Sequence, residues 1–338
     1  MTPPSDSLGE FDFSKGLEAD LLVLAGGFED RSTAFAERLQ LGACKVRSAV
    51  LFRYAKQVKD NDPNYLKLES FLRRELHVDP IPVSVDPDAP IASFGSIRRS
   101  ISAAAGGERG GVAVVDVSGL THMWALGAVD ACVKSGLHTT VVYTEAEEYY
   151  PSESQRDEIL LAARTGTYRR AEVYLQSAGL RAIHILPEFS GNHRPDRQIC
   201  LVVFVGHEPN RIAGLVDKYA PGALLLYYGR SPRPSLAWRT EFSQDLHSDL
   251  FARWKHRSDE VSTLSAPEII DKLEHDFAIL RSHYDIAVAP QSSKMQAVAS
   301  YVFWRRHPEI QLIFTSPVSF NPDRYSRRAG QTYRYAIS

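Results

Sequence analysis

The sequence predicts an α/β protein of two Rossmann-like, doubly wound, mostly parallel sheets related by internal duplication. Three observations predict it. Short continuous apolar runs, such as residues 20–25 (DLLVLA) and 199–205 (ICLVVFV), end at glycines, as strands buried on both faces do. Segments of helical periodicity alternate with these runs, which is the signature of β-α-β winding. Landmarks of the first half then recur, in order, in the second.

The elements follow along the chain. Residues 1–18 are mostly polar, with Pro3 and Pro4, and read as a loose lead-in. The run at 20–25 is a strand ending in Gly26-Gly27, and 33–39 is a helix with one apolar face. Residues 46–54 (VRSAVLFRY) form a second strand. Residues 64–75 form an amphipathic helix, with Tyr65, Leu68, Phe71 and Leu72 at helical spacing. A short strand at 81–85 lies between prolines, and a helix at 91–105 stops at the glycine-rich 106–111. Residues 111–151 are the clearest unit: strand, small-residue loop, helix, second strand, and an acidic aromatic loop at 145–150. Residues 152–178 are polar and helix-prone, interrupted at Gly166, and 180–186 read as a further strand.

Residues 187–197 (PEFSGNHRPDR) read as a linker. The expected halves are therefore 19–194 and 195–338. In the second half a helix opens at His207 with Pro209 in its first turn. A strand at 223–228 leads into the basic loop Gly229-Arg230-Ser231-Pro232. The helix at 265–281 is capped by Ser265, with Glu268 completing a capping box. A strand at 284–289, a helix at 291–306, a strand at 310–315 and a loop at 316–325 follow. Residues 331–337 (QTYRYAI) alternate like a late edge strand.

Bulk properties exclude several classes. The 338 residues are 44% hydrophobic and 24% charged, as in an ordinary globular protein. A formal net charge of −2 argues against a dedicated non-specific nucleic-acid binder, and no DNA-binding motif is present. Cys44, Cys132 and Cys200 are far apart in apolar contexts, which speaks against a cysteine zinc site and for reduced, buried thiols in a cytoplasmic protein. The N-terminal residues lack the basic and apolar regions of a signal peptide. No apolar run approaches the about 20 residues of a membrane span. No metal-ligand spacing, GxGxxG or Walker A sequence occurs, so neither a metal nor a cofactor is expected.

The repeat has three landmarks. Gly26-Gly27-Phe28-Glu29 with Arg31 answers to Gly206-His207-Glu208 with Arg211. Ser118-Gly119-Leu120-Thr121-His122-Met123 answers to Gln291-Ser292-Ser293-Lys294-Met295. VVYTEAEEYYP (141–151) answers to LIFTSPVSFNP (312–322). Ligands of open α/β sheets bind outside the strand C-termini, so a cleft shared by two such halves would suit an elongated or two-fold ligand.

The candidate site residues lie in these loops. Arg31 and Arg211, beside the amide of Gly27, could hold phosphate at a helix N-terminus. Glu29 and Glu208 could hold a ribose hydroxyl, or simply pair with the arginines. Asp116, Ser118, Thr121 and His122, and equally Ser292, Ser293 and Lys294, could cradle phosphate or cap a helix. Tyr149 could stack a base, Arg230 could meet an anion, and Asn321 closes the second copy of the acidic loop. If the protein is an enzyme, Glu29 or Glu145 is the catalytic carboxylate.

DVSGLTHMWALGAVDA (116–131) resembles the loop and Ala-rich helix of CARF domains, and APQSSKMQAVASY (289–301) keeps the Ser-Lys-Met part. The tandem arrangement is similar to that of SAVED domains. The sequence departs from the pattern at Leu120, where glycine is expected, and at His122, where lysine is. The resemblance implies a Rossmann-like sensor of nucleotide-derived second messengers in prokaryotic, anti-phage defence. It implies ligand contacts at Ser118, Thr121, His122, Ser292, Ser293 and Lys294. It also implies an effector protein or a second copy of the chain as partner. Two other readings stay open: a hydrolase or glycosyl-transfer enzyme acting on a nucleotide or nucleoside, and a structural subunit without ligand.

Overall fold

A computed structural model describes residues 8–56, 58–107, 110–165 and 175–337. Two compact units are present. Unit 1 comprises the chain up to Glu148 together with the chain from Ser326 onward, and unit 2 is Tyr149–Tyr325. The boundary expected near 195 falls inside unit 2.

Unit 1 is a seven-stranded sheet. Its strands are β1 (Gly9–Glu10), β2 (Leu17–Ala25), β3 (Cys44–Tyr54), β4 (Ile81–Val85), β5 (Val112–Asp116), β6 (His138–Tyr149) and β16 (Ser326–Ile337). Their order is β1-β16-β6-β5-β2-β3-β4. The pairs β4·β3, β3·β2, β2·β5 and β5·β6 are all parallel. Helices α1 (Arg31–Arg38), α2 (Val58–Arg74), α3 (Pro90–Ala105) and α4 (His122–Lys134) make the crossovers. The strands read as unbroken apolar runs because they are buried on both faces: Leu21, Leu22, Val23 and Leu24 are all fully buried.

Unit 2 contains β7 (Ser177–Ala178), β8 (Ala182–His184), β9 (Gln198–Val205), β10 (Ala223–Arg230), β11 (Arg257–Ser262), β12 (Tyr284–Pro290), β13 (Gln311–Leu312), β14 (Phe314–Ser316) and β15 (Ser319–Phe320). Its main sheet has the order β11-β10-β9-β12-β13, all parallel. Numbered by sequence within each unit, both parallel sheets have the order 3-2-1-4-5. Its helices are α5 (Arg156–Thr165), α6 (Pro209–Tyr219), α7 (Trp238–Phe251), α8 (Ala266–Leu280) and α9 (Lys294–Arg306). The α/β class with mostly parallel sheets expected from the sequence is the one observed.

Several local expectations differ from the structure. From residue 8 the lead-in is not loose. Gly9 and Glu10 pair antiparallel with Arg334 and Tyr333, and Phe11 packs edge-on against Phe35 with ring centroids 5.0 Å apart. Residues 145–149 are not a loop, because β6 continues through them beside β16. The late strand is no edge either: β16 lies between β1 and β6, in unit 1.

Helix α7 and strand β11 were not expected. The signal for α7 is Phe242, Leu246 and Leu250, buried at four-residue spacing. β11 (RSDEVS) is polar because it is an edge strand with its charged end exposed. The run at 310–315 divides: β13 joins the main sheet, and β14 leaves it to pair antiparallel with β8. Of the polar stretch 152–178, residues 166–174, including the interruption at Gly166, lie outside the described residues, as do residues 1–7 of the lead-in.

The strand β16 is tied to α1 by one side chain. Arg38 donates to the carbonyls of Gly330 (2.6 Å) and Ala329 (2.7 Å) and to Thr332 Oγ1 (3.1 Å). Arg38→Ala is expected to lower the stability of the protein by about 1.5–3 kcal/mol, the worth of hydrogen bonds from a charged donor. Urea unfolding measures it.

Candidate functional site

In a 3-2-1-4-5 sheet the winding reverses between strands 1 and 4, and the crevice for ligand opens beyond their C-terminal ends. In unit 1 this point lies between β2 and β5. The two loops meet backbone to backbone. A Cβ on Gly27 would sit 2.8 Å from the carbonyl oxygen of Gly119, and one on Gly119 would sit 2.3 Å from that of Ala25. Only glycine allows this approach. In unit 2 the equivalent point, between β9 and β12, has the same device: a Cβ on Gly206 would lie 2.6 Å from the carbonyl oxygen of Gln291.

Polar side chains lock the unit 1 loops. Ser32 Oγ (2.8 Å) and Asn64 Nδ2 (2.7 Å) both donate to the Gly27 carbonyl. Tyr54 Oη donates to the Gly119 carbonyl (2.9 Å) and accepts from the Thr121 amide (3.0 Å). Burial pushes the Tyr54 phenol well above its ordinary range, so it stays a neutral donor.

The expected Glu–Arg pairs are real ion pairs. Arg31 Nη2 donates to both oxygens of Glu29, at 2.9 and 3.0 Å, and Nη1 donates to Tyr143 Oη at 3.0 Å. Ser326 Oγ donates to Glu29 Oε1 at 2.5 Å. In unit 2, Arg211 Nη2 lies 2.7 Å from Glu208 Oε2, and Ser177 Oγ donates to Glu208 Oε1 at 3.2 Å. In both units the arginine's charge is thus met by protein.

Asp116, at the end of β5, is 1% exposed. Burial pushes its carboxyl up to about 7, against the hydrogen bonds from Ser118 and the charge of Arg31. Its Oδ1 accepts from the Ser118 amide at 2.9 Å. Ser118 Oγ accepts from the Thr144 amide at 2.8 Å, so this hydroxyl holds β6 rather than facing outward. Glu145 is buried, with Tyr333 Oη 3.4 Å from its Oε2. Thr121 is exposed as the N-cap of α4, and half-buried His122 is the first helical residue.

The structure thus brings Gly27, Glu29, Arg31, Asp116, Ser118 and Thr121 together around one switch point, with Glu145 further along β6. The second-half candidates gather less. Ser292 and Ser293 stand near the ends of β10 and β11: Ser292 Oγ is 3.6 Å from where a Gly229 Cβ would be, and Ser293 Oγ donates to the Thr263 carbonyl at 2.6 Å. Half-buried Lys294 opens α9. Exposed Arg230 pairs with Glu268 at 2.8 Å. Asn321 caps a turn by accepting from the Asp323 amide. Tyr149 lies beside Arg239, whose guanidinium carbon is 5.8 Å from its ring centre and which donates to the carbonyls of Tyr150 and Pro151.

Sequence reasoning missed Tyr54, Asn64, Tyr143 and Ser326. Tyr54 ends a strand in a way that could have drawn attention. The others carry no local signal. Among the described residues no group of three or more His, Cys, Asp or Glu could hold a metal ion, and no helix is long and apolar enough to cross a membrane.

No protein-family model and no curated protein matches the chain. Solved structures show distant likeness, three of them as follows. A type III CRISPR defence DNA nuclease activated by cyclic oligoadenylate matches at 8% identity and a TM-score of 0.47, over 91% of this chain and 67% of that one. The apo form of the lipopolysaccharide outer core galactosyltransferase WaaB matches at 11% identity and a TM-score of 0.24, over 86% and 91%. S. aureus MnaA with UDP matches at 13% identity and a TM-score of 0.25, over 84% and 78%.

Two outcomes follow from this geometry. Gly119→Ala is expected to cost about 1–3 kcal/mol in denaturant unfolding, because the Ala25 carbonyl is backbone and cannot swing away. Asp116 has a folded pKa above its ordinary 3.8, so the folded state binds the extra proton. Stability therefore falls as pH rises from about 4 to about 7, by up to about 1.4 kcal/mol per pH unit. Asp116→Asn removes this slope, which unfolding curves of the two proteins across that window measure.

Proposed function

We propose that the chain recognises a phosphate-bearing, nucleotide-derived ligand at the unit 1 loops after β2 and β5. In this reading it works as a sensor or accessory subunit passing the signal to an effector partner, in a prokaryotic, anti-phage setting. The observation that carries the reading is a difference between two helix starts. The N-cap of α4, Thr121, makes no side-chain capping bond. The N-cap of α9, Ser293, accepts from the Gln296 amide while the Gln296 side chain accepts from the Ser293 amide, a complete capping box. The start of α9 is therefore closed by its own residues. No Thr121 side-chain bond closes the start of α4, which presents the positive end of a helix dipole to an anion.

The charges around α4 favour the same side. Glu29 is neutralised by Arg31, and burial pushes the Asp116 carboxyl up to about 7, so it is only partly ionised at neutral pH. A phosphate approaching α4 thus meets less negative charge than two ionised, unpaired carboxylates would carry. We read the shared 3-2-1-4-5 order, and the recurrent glycine approach and Glu–Arg–Ser clasp, as an internal duplication in which unit 1 kept the open helix start. The clasp also weighs against the enzymatic reading, since a carboxylate held by a guanidinium and a serine is a poor general base.

The test uses Thr121→Asp. Aspartate is a strong N-cap, so the variant should keep its thermal stability or gain about 0.5–1 kcal/mol, while its carboxylate occupies and repels the anion position. Nucleoside mono- and diphosphates and cyclic and linear dinucleotides are screened by thermal shift. A shift in the native protein that disappears in Thr121→Asp and survives in Lys294→Gln is expected. No shift with any of these, or a shift that Thr121→Asp leaves intact, removes the reading. Turnover that Glu29→Gln abolishes would replace it with the enzymatic one.

A further inference from the structure

Unit 2 has a concavity away from the strand C-termini. A cavity of about 320 Å³ opens at the N-terminal ends of β12 and β13, beside the C-terminal end of α8. Phe277, Ile286 and Ile310, 5%, 5% and 1% exposed, are the apolar part of its lining, and half-buried Tyr284 adds a second ring. That volume is at the lower end of small-molecule pockets.

The segment expected to be a linker is a wall of this cavity, and it is bolted down. The Arg194 amide donates to Asp285 Oδ2 at 2.5 Å, and its side chain donates to Oδ1 at 3.0 and 3.2 Å. The Asn192 amide donates to the Glu309 carbonyl at 2.8 Å. Arg197 donates to the carbonyls of Arg281 and Ser282 at 2.7 and 2.5 Å. A wall so held is preformed, which lowers the ordering cost of binding.

The lining carries two arginines and two carboxylates. Arg194 and Asp285 satisfy each other. Arg281 has its guanidinium 5.7 Å from the centre of the Phe277 ring, and no carboxylate pairs with it among the described residues. Glu309 is half-exposed, and the His307 ring nitrogen Nδ1 stands 3.9 Å from its Oε1, beyond hydrogen-bond length. One cation and one carboxylate thus remain on the walls of a small cavity with an aromatic lining. A net anion or a net cation would use only one of them.

We infer that this cavity binds a zwitterion with an apolar or aromatic body, of the size of a single free α-amino acid. The Arg281 fork takes the carboxylate, Glu309 takes the ammonium, and Tyr284 takes the side chain, with only the small exposed edge of Phe277, whose ring already packs on His307 and Phe303, beside it. The site is independent of the nucleotide reading, because all its lining residues belong to unit 2 and none of them is used there.

The probe is L-phenylalanine, titrated into the full chain by calorimetry, with benzoate and phenethylamine as single-charge controls. Saturable binding of phenylalanine, about tenfold or more tighter than either control, is expected. Arg281→Ala and Glu309→Gln, both at exposed side chains, should each weaken it by about tenfold or more with unchanged thermal melts. Thr121→Asp should leave it untouched. No binding of phenylalanine, binding that both variants retain, or benzoate binding as tightly as phenylalanine would each overturn the assignment.

Discussion

The close approach of two backbones at each switch point is the constraint on which the rest depends. Gly27 faces the carbonyl of Gly119, and Gly206 faces that of Gln291. A side chain at Gly27 or Gly119 would push the loop after β5 away from the loop after β2. That loop sets where α4 begins, so its displacement would move the helix start and everything aimed at it. Tyr54 and Asn64 reach the same carbonyls from neighbouring elements, which is why the loops have one arrangement and not several.

Electrostatics at these points is settled inside the protein. Glu29, Arg31, Ser326 and Tyr143 are bonded together, as are Glu208, Arg211 and Ser177. Buried ion pairs are weak sources of net stability, because desolvation offsets most of their attraction. Their effect here is directional: each fixes the first turn of a helix against its strand. The two units then diverge at the helix after strand 4. A complete capping box consumes the polar potential of α9, and its absence leaves that of α4.

Much of this was legible locally. The apolar run at 20–25, the Ser265 cap and the Pro209 first turn each express a rule acting within a few residues, and each holds in the structure. The site was legible as position and not as chemistry. Arg31 and Ser118 do stand at the switch point, but their polar groups turn inward to Tyr143 and Thr144. Glu268 shows the same limit. It follows its N-cap at the capping-box spacing, yet its carboxylate is taken by Ser262 and Arg230 from other elements.

By itself the sequence determined the period of each element, and from alternating strands and helices it determined the α/β class, because periodicity and capping are local properties. It did not determine which sheet a strand joins. QTYRYAI reads as an edge strand anywhere, and only the folded chain puts β16 beside β6, bringing Ser326 onto Glu29. Likewise PEFSGNHRPDR reads as a linker until Asp285, far along the chain, meets Arg194. Such partners are fixed by burial and pairing across long loops, which residue order does not encode in any short window.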